Sequence, residues 1–139
     1  GTGPETEALK FACYQLGLGK ETVFLGKLDH NQVKNALEKA QIYIQYSVQE
    51  GFCNAVLEAQ AMGLLCVVSD AEGLSENVLH NKTGWVVSKR NPKALANKIL
   101  EVIHLPEEEK NRVCNQSQIR IKETFNLDIQ KQLFHSFYK

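Results

Sequence analysis

The stretch Ile42-Tyr43-Ile44-Gln45-Tyr46-Ser47-Val48-Gln49-Glu50-Gly51-Phe52-Cys53-Asn54-Ala55-Val56-Leu57-Glu58 decides the reading of this chain. Residues 42–46 run β-branched and aromatic in alternation, which is the signature of a strand. From Asn54 the residues are helix formers, and Gly63 stops them. A strand, a short glycine-containing loop and a helix start aim free backbone N–H groups and the positive end of the helix dipole beyond the strand's carboxyl end. A phosphate fits such a place. Glu50 and Glu58, with the loop between them, stand ready to accept hydrogen bonds from hydroxyl groups.

Outward from this stretch, strands alternate with helices. Pro4 with Glu5 and Glu7 opens a first helix, whose Leu9, Ala12, Cys13 and Leu16 share one face before Gly17 or Gly19 ends it. Thr22–Leu25 reads as a short strand, and Asp29 with Gln32 three residues on reads as the cap of a helix that turns Val33, Leu37 and Ala40 inward. The near-continuous apolar run at 64–69 suits a parallel strand buried on both faces. A short helix at 74–79, a strand at 84–87, an Asn91-Pro92 helix start, a helix from Pro106 and a last helix opening at Asn126 complete the order. The pattern predicts one α/β domain with a doubly wound parallel sheet, whose ligands bind beyond the strands' carboxyl ends.

Composition narrows the partners. Sixteen basic and sixteen acidic residues cancel, so no electrostatic case exists for nucleic acid. No apolar run approaches membrane-spanning length. Cys13, Cys53, Cys66 and Cys114 are scattered without C-x-x-C spacing, which argues against zinc and for reduced thiols in a cytosolic setting. Cys53 has no histidine placed by sequence to activate it, so thiol catalysis is not expected, and His30, His80, His104 and His135 fall in caps, turns or helix surfaces.

The ordered set Glu50-x7-Glu58, Ala59-x-Ala61-Met62-Gly63, Ser69-Asp70-Ala71-Glu72-Gly73-x-x-Glu76-Asn77-Val78, Lys82-Thr83-Gly84-Trp85-Val86-Val87 and Asn91-Pro92 resembles the retaining glycosyltransferases of family-4 type. Gly1-Thr2-Gly3-Pro4-Glu5 and Val23-Phe24-Leu25-Gly26 match in order as well, so the resemblance covers essentially the whole chain. It implies residues 1–139 are a partial C-terminal, donor-binding domain of a GT-B fold, Rossmann-like, lacking its first strands and the N-terminal acceptor domain. The departures are Tyr46 and Leu65 where the family has proline, and Cys53 and Glu72 where it has glycine.

The same resemblance implies the roles. Glu50 is the catalytic carboxylate that orients the donor sugar, against the alternative that it closes a Ser47-x-x-Glu50 capping box. Gly51, Phe52, Cys53 and Asn54 hold sugar and phosphate through backbone N–H groups, with Asn54 also expected as the helix N-cap. Glu58 holds the ribose, where the plain alternative is a solvated helix carboxylate. Gly26, Lys27 and Leu28 stand where the family holds the nucleotide base, or form an ordinary turn. The implied reaction moves a sugar from a nucleotide-diphosphate sugar to an acceptor hydroxyl with retention, in polysaccharide or glycoconjugate synthesis, with neither cofactor nor metal. The whole enzyme is expected in the cytoplasm or peripheral to the membrane's cytoplasmic face. The isolated chain is expected to be inactive and to self-associate. A GT-B sugar-nucleotide epimerase and a non-catalytic doubly wound binding module are the rival readings, although the aspartate cluster of a receiver domain and the Gly-x-Gly-x-x-Gly of a dinucleotide binder are both missing.

Overall fold

A computed structural model of the chain describes residues 2–125; the expected last helix, opening at Asn126, lies outside them. The chain forms two compact units that divide between Ala36 and Leu37.

The first unit holds helix α1 (Thr6–Gln15) and most of α2 (His30–Glu38). Pro4 sits in the turn ahead of α1 rather than within it. At the other end Gly17, at φ +70°, lets the chain reverse: its N–H bonds the Tyr14 carbonyl and the Leu18 N–H reaches back to Cys13. The apolar stripe of α1 is largely uncovered, since Leu9, Ala12 and Leu16 are all exposed. The Asp29–Gln32 box forms as the spacing predicts, with Gln32 N–H donating to Asp29 Oδ1 and Asp29 N–H to Gln32 Oε1. The strand expected at Thr22–Leu25 does not form. Its residues have a strand's composition, but no strand among the described residues pairs with them, and Val23 is 77% exposed. Ala40, expected inward on α2, lies beyond its end and is exposed.

The second unit is the sheet. Strands β1 (Ile42–Gln45), β2 (Leu65–Ser69) and β3 (Trp85–Val87) are parallel in the order β1-β2-β3, with Ile42 opposite Leu65 and Val67 opposite Trp85. Helix α3 (Asn54–Ala61) connects β1 to β2, the short α4 (Leu74–Asn77) lies between β2 and β3, and α5 (Pro92–Ile103) and α6 (Glu107–Thr124) follow. Every residue of β2 is buried, as a central strand covered on both faces requires. Cys66 and Val68 face a core with Val56 and Ala59 of α3 and Leu74 near α4's start. Leu65 and Val67 face the opposite core with Trp85, Val102 of α5 and Val113 of α6. Each fully buried valine or leucine contributes about 1.5–3 kcal/mol of apolar burial, so β2 is the strand the unit is built around.

Local chemistry sets the ends. Gly63 at φ +80° closes α3 with the same paired bonds seen at Gly17, here to Gln60 and Ala59. Asn91 caps α5 by accepting the Ala94 N–H at 3.0 Å, with Pro92 at the first helical position. Gly84, at φ +155°, lies so close to β2 that a Cβ there would be 2.5 Å from the Cys66 carbonyl oxygen. Because the sheet is parallel, the segments leaving β1, β2 and β3 emerge at the same end. Among the described residues no helix is long and apolar enough to cross a membrane.

Candidate functional site

The chain leaves β1 through residues 46–53 and enters α3 at Asn54. Cys53, not Asn54, is the N-cap. It has extended backbone angles, makes no side-chain capping bond, and accepts the Val56 N–H on its carbonyl at 3.2 Å. Asn54 is already helical, so its side chain cannot occupy the cap position the sequence suggested. The amides of Cys53, Asn54 and Ala55 precede that first bond and form the donor end of the helix. Gly51 and Phe52 are exposed in the same loop.

Glu50 is half-buried and its carboxylate is held by side chains. Oε2 accepts from Ser47 Oγ at 2.9 Å and from Gln45 Nε2 at 3.2 Å. The expected capping-box partner is therefore present, but it meets Glu50 through its hydroxyl and not through a backbone N–H. Gln45 is fixed in turn by Tyr43, whose hydroxyl donates to Gln45 Oε1 at 2.9 Å. Buried Ser69, at the end of β2, accepts the Ser47 N–H and donates to the Ser47 carbonyl, which fastens the start of the loop to the next strand.

Tyr43 reports the electrostatics. Its phenol is pushed up to about 12, first by burial and then by Cys53, Cys66, Glu58 and Glu50, whose negative forms disfavour the phenolate. The two glutamates that the sequence places around the loop thus act on one tyrosine that the sequence did not single out. Glu58 is exposed one turn into α3. Gly26, Lys27 and Leu28 lie in the first unit, in the connection from α1 to α2, with Gly26 at φ +68°. They follow an irregular segment and not the strand the sequence suggested.

The departures from the family pattern have local reasons. Tyr46 spans two loops, donating its hydroxyl to the Ser88 carbonyl at 2.7 Å and accepting the Asn91 N–H at 2.8 Å. Leu65 donates its N–H to the Gln41 carbonyl, which proline could not do. Glu72 is exposed beside a depression that it shares with Val48, Gln49, Lys89 and Arg90. All four cysteines are free; burial pushes the Cys66 thiol up to about 12 and raises that of Cys114, so neither suits nucleophilic chemistry. Among the described residues no three His, Cys, Asp or Glu side chains cluster as a metal site requires. A cavity of about 490 Å³ opens at the other end of the sheet, between Gln41, Leu64 and the α5–α6 turn, and shares no residue with the Glu50–Glu58 segment.

A parallel sheet whose strand-to-helix loops gather at the strands' carboxyl ends is the arrangement in which open α/β domains bind their ligands. The chain belongs to the glycosyl transferases group 1 family, whose model matches residues 1–119. An uncharacterised glycosyltransferase of Methanocaldococcus jannaschii is 36% identical over 96 residues, covering 69% of this chain and 25% of that protein. Sucrose-phosphate synthase of Thermosynechococcus elongatus superposes with a TM-score of 0.86 at 24% identity, over 98% of this chain and 35% of that one. HepE of Anabaena, solved with UDP and glucose, superposes at 0.85 with 22% identity, over 95% of this chain and 36% of its own. The fold is that of a partial Rossmann-like domain of the GT-B glycosyltransferases. The chain spans about a quarter of the length of that curated relative.

Proposed function

We propose that this chain is the donor-binding part of a glycosyltransferase that moves a hexosyl group from a nucleotide-diphosphate sugar to an acceptor hydroxyl, with retention of configuration, in polysaccharide or glycoconjugate synthesis. The observation that carries the reading is the uncapped start of α3, where the amides of Cys53, Asn54 and Ala55 face out of a loop bracketed by Glu50 and Glu58. Those amides and the helix dipole take the diphosphate. Oriented donors of this kind stabilise a developing leaving-group charge by several kcal/mol without a metal. Glu50, pre-set by Ser47 and Gln45, orients the sugar through its hydroxyls. Glu58 holds the ribose, and Gly26, Lys27 and Leu28 meet the base. UDP is the first nucleotide to test, because the structurally similar HepE was solved with it.

The acceptor domain, and the cationic pair that neutralises the departing diphosphate in the family, come from outside these residues. That part of the reading is supported by the chain's small share of its relatives' length. The 139-residue chain alone therefore binds donor weakly and transfers nothing. Titration with UDP and GDP tests the site. Glu58→Ala should weaken nucleoside diphosphate binding by about 1–3 kcal/mol, the scale of hydrogen bonds lost to a buried ligand. In the complete enzyme Glu50→Ala should depress turnover more than nucleotide affinity. Equal affinity of Glu58→Ala and the parent for nucleoside diphosphate would remove the ribose role. Sugar transfer by the isolated chain would remove the division of labour between domains.

A further inference from the structure

Behind the loop that leads into α3 lies a buried polar cluster that the donor reading leaves unused. Asn77, the last residue of α4, is fully buried, and its Nδ2 donates to the Cys53 carbonyl at 2.9 Å. Its own backbone carbonyl accepts from Nε2 of fully buried Gln60 at 3.0 Å and from Arg120 Nη1 at 2.9 Å. Arg120 Nη2 takes the neighbouring Glu76 carbonyl at 2.8 Å, and its guanidinium lies 5.2 Å over the Phe125 ring, which meets Phe52 of the loop at 5.9 Å.

The cluster leaves two buried acceptors over. Gln60 Oε1 and Asn77 Oδ1 are both buried with no hydrogen-bond partner among the described residues. Apolar side chains of similar volume would avoid that desolvation. A local departure from the packing optimum, placed directly under a candidate binding loop, is what a geometric role would leave behind.

The geometry identifies what is being set. The Cys53 carbonyl takes two donors, the Val56 N–H and the Asn77 amide. A trans peptide is planar, with its C=O and N–H on opposite sides, so a carbonyl fixed inward aims the next N–H outward. The peptide joining Cys53 to Asn54 is thereby locked, and the Asn54 amide faces away from the core. We propose that Asn77 is a positioning residue for diphosphate recognition. It pins the Cys53 carbonyl and so aims the Asn54 amide, while Gln60 and Arg120 hold Asn77 in place. The proposal rests on the donor reading of the loop.

Two variants and two ligands test it. UDP and uridine are titrated against the parent chain, Asn77→Leu and Asn77→Asp, and amide exchange is followed without ligand. Asn77→Leu should lower UDP affinity about tenfold, the scale of one hydrogen bond, and leave uridine within about twofold. Exchange of the Val56 amide should quicken as the shared carbonyl loosens. The near-isosteric Asn77→Asp keeps the test available if the leucine variant fails to fold. Its ionised carboxylate cannot donate to Cys53, so its UDP affinity relative to the parent should recover as falling pH protonates it. Variants that keep UDP affinity and Val56 protection overturn the proposal, as does an equal loss of UDP and uridine binding. A parent chain that binds UDP no tighter than uridine overturns the donor reading and the phosphate role together, while the Val56 exchange still reports the pinning by itself.

Discussion

A Cβ on Gly73 would lie 2.1 Å from the Gly51 carbonyl oxygen and 2.7 Å from its carbonyl carbon. The two glycines belong to the loops that leave β1 and β2, so this contact clamps the Glu50 loop against the start of α4. Both obstructing atoms are backbone and cannot swing aside. Gly73 also sits at φ +81°, where a side chain is strained in any case. Gly73→Ala should therefore cost about 2–4 kcal/mol of stability by denaturant titration, combining overpacking with the left-handed backbone. Gly51→Ala is the control, because nothing lies within 4 Å of its Cβ. Its stability should stay within about 0.5 kcal/mol of the parent.

Ser69 is the other fastening of the loop. Its hydroxyl accepts the Ser47 N–H at 3.1 Å and donates to the Ser47 carbonyl at 2.5 Å, and the residue is fully buried. Ser69→Ala leaves both Ser47 backbone groups without this partner, so stability should fall by about 1–3 kcal/mol. Ser47 holds Glu50, and the same variant of the complete enzyme should lose turnover beyond what its melting temperature explains. Unchanged urea midpoints would show that the hydroxyl contributes nothing to the loop.

Much of this arrangement is legible in the chain, and the rest is hidden for identifiable reasons. The run 64–69 shows a strand buried on both sides because it is apolar at every position but the last. Asn91-Pro92 and Asp29–Gln32 announce helix starts because capping is local chemistry within four residues. Thr22–Leu25 misleads because β-branched residues mark a capacity for pairing, while a strand also needs a neighbour. The support of Glu50 is hidden within a strand that reads as apolar alternation: Tyr43 and Gln45 carry their polar ends into a shared network that no periodicity reveals. Ser69 and Asn77 are 22 and 24 residues from the groups they hold, so only the parallel sheet brings them there. Cys53 takes the cap because the helix begins one residue earlier than Asn54's side-chain preference suggests.

Alkaline pH should unfold this protein through two buried groups. The Cys66 thiol rises from an ordinary 9.0 to about 12, and the Tyr43 phenol from 10.0 to about 12. In the unfolded chain both ionise at their ordinary values, so between about pH 9 and 12 the native state holds protons that the unfolded state has released. Stability then falls as pH rises through that window, and these two groups leave it flat below pH 9. Urea titrations between pH 8 and 11 should show the decline, with Cys66 leading because its ordinary value is lower. Cys66→Ala should make the decline shallower, and the comparison is of slopes because the substitution also leaves a small cavity. An unchanged slope would mean that Cys66 is not protected from ionisation.

β1 has β2 as its only ladder partner among the described residues. Its other side presents backbone donors and acceptors, and Ile44 is 43% exposed beside them. An open strand edge with an apolar side chain is a template for another chain. The isolated protein is therefore expected to associate from roughly tens of micromolar upward, the range in which exposed edges drive such contacts. Sedimentation velocity over a concentration series would show it. Ile44→Lys places a charge at the edge and should return the protein to monomer. Its melting temperature should change little, because the side chain it replaces is already half in water. A longer chain carrying upstream sequence should also stay monomeric if that sequence pairs with β1. Strictly monomeric behaviour of the 139-residue chain across the whole series, with Ile44→Lys making no difference, would show that the edge is not available for pairing.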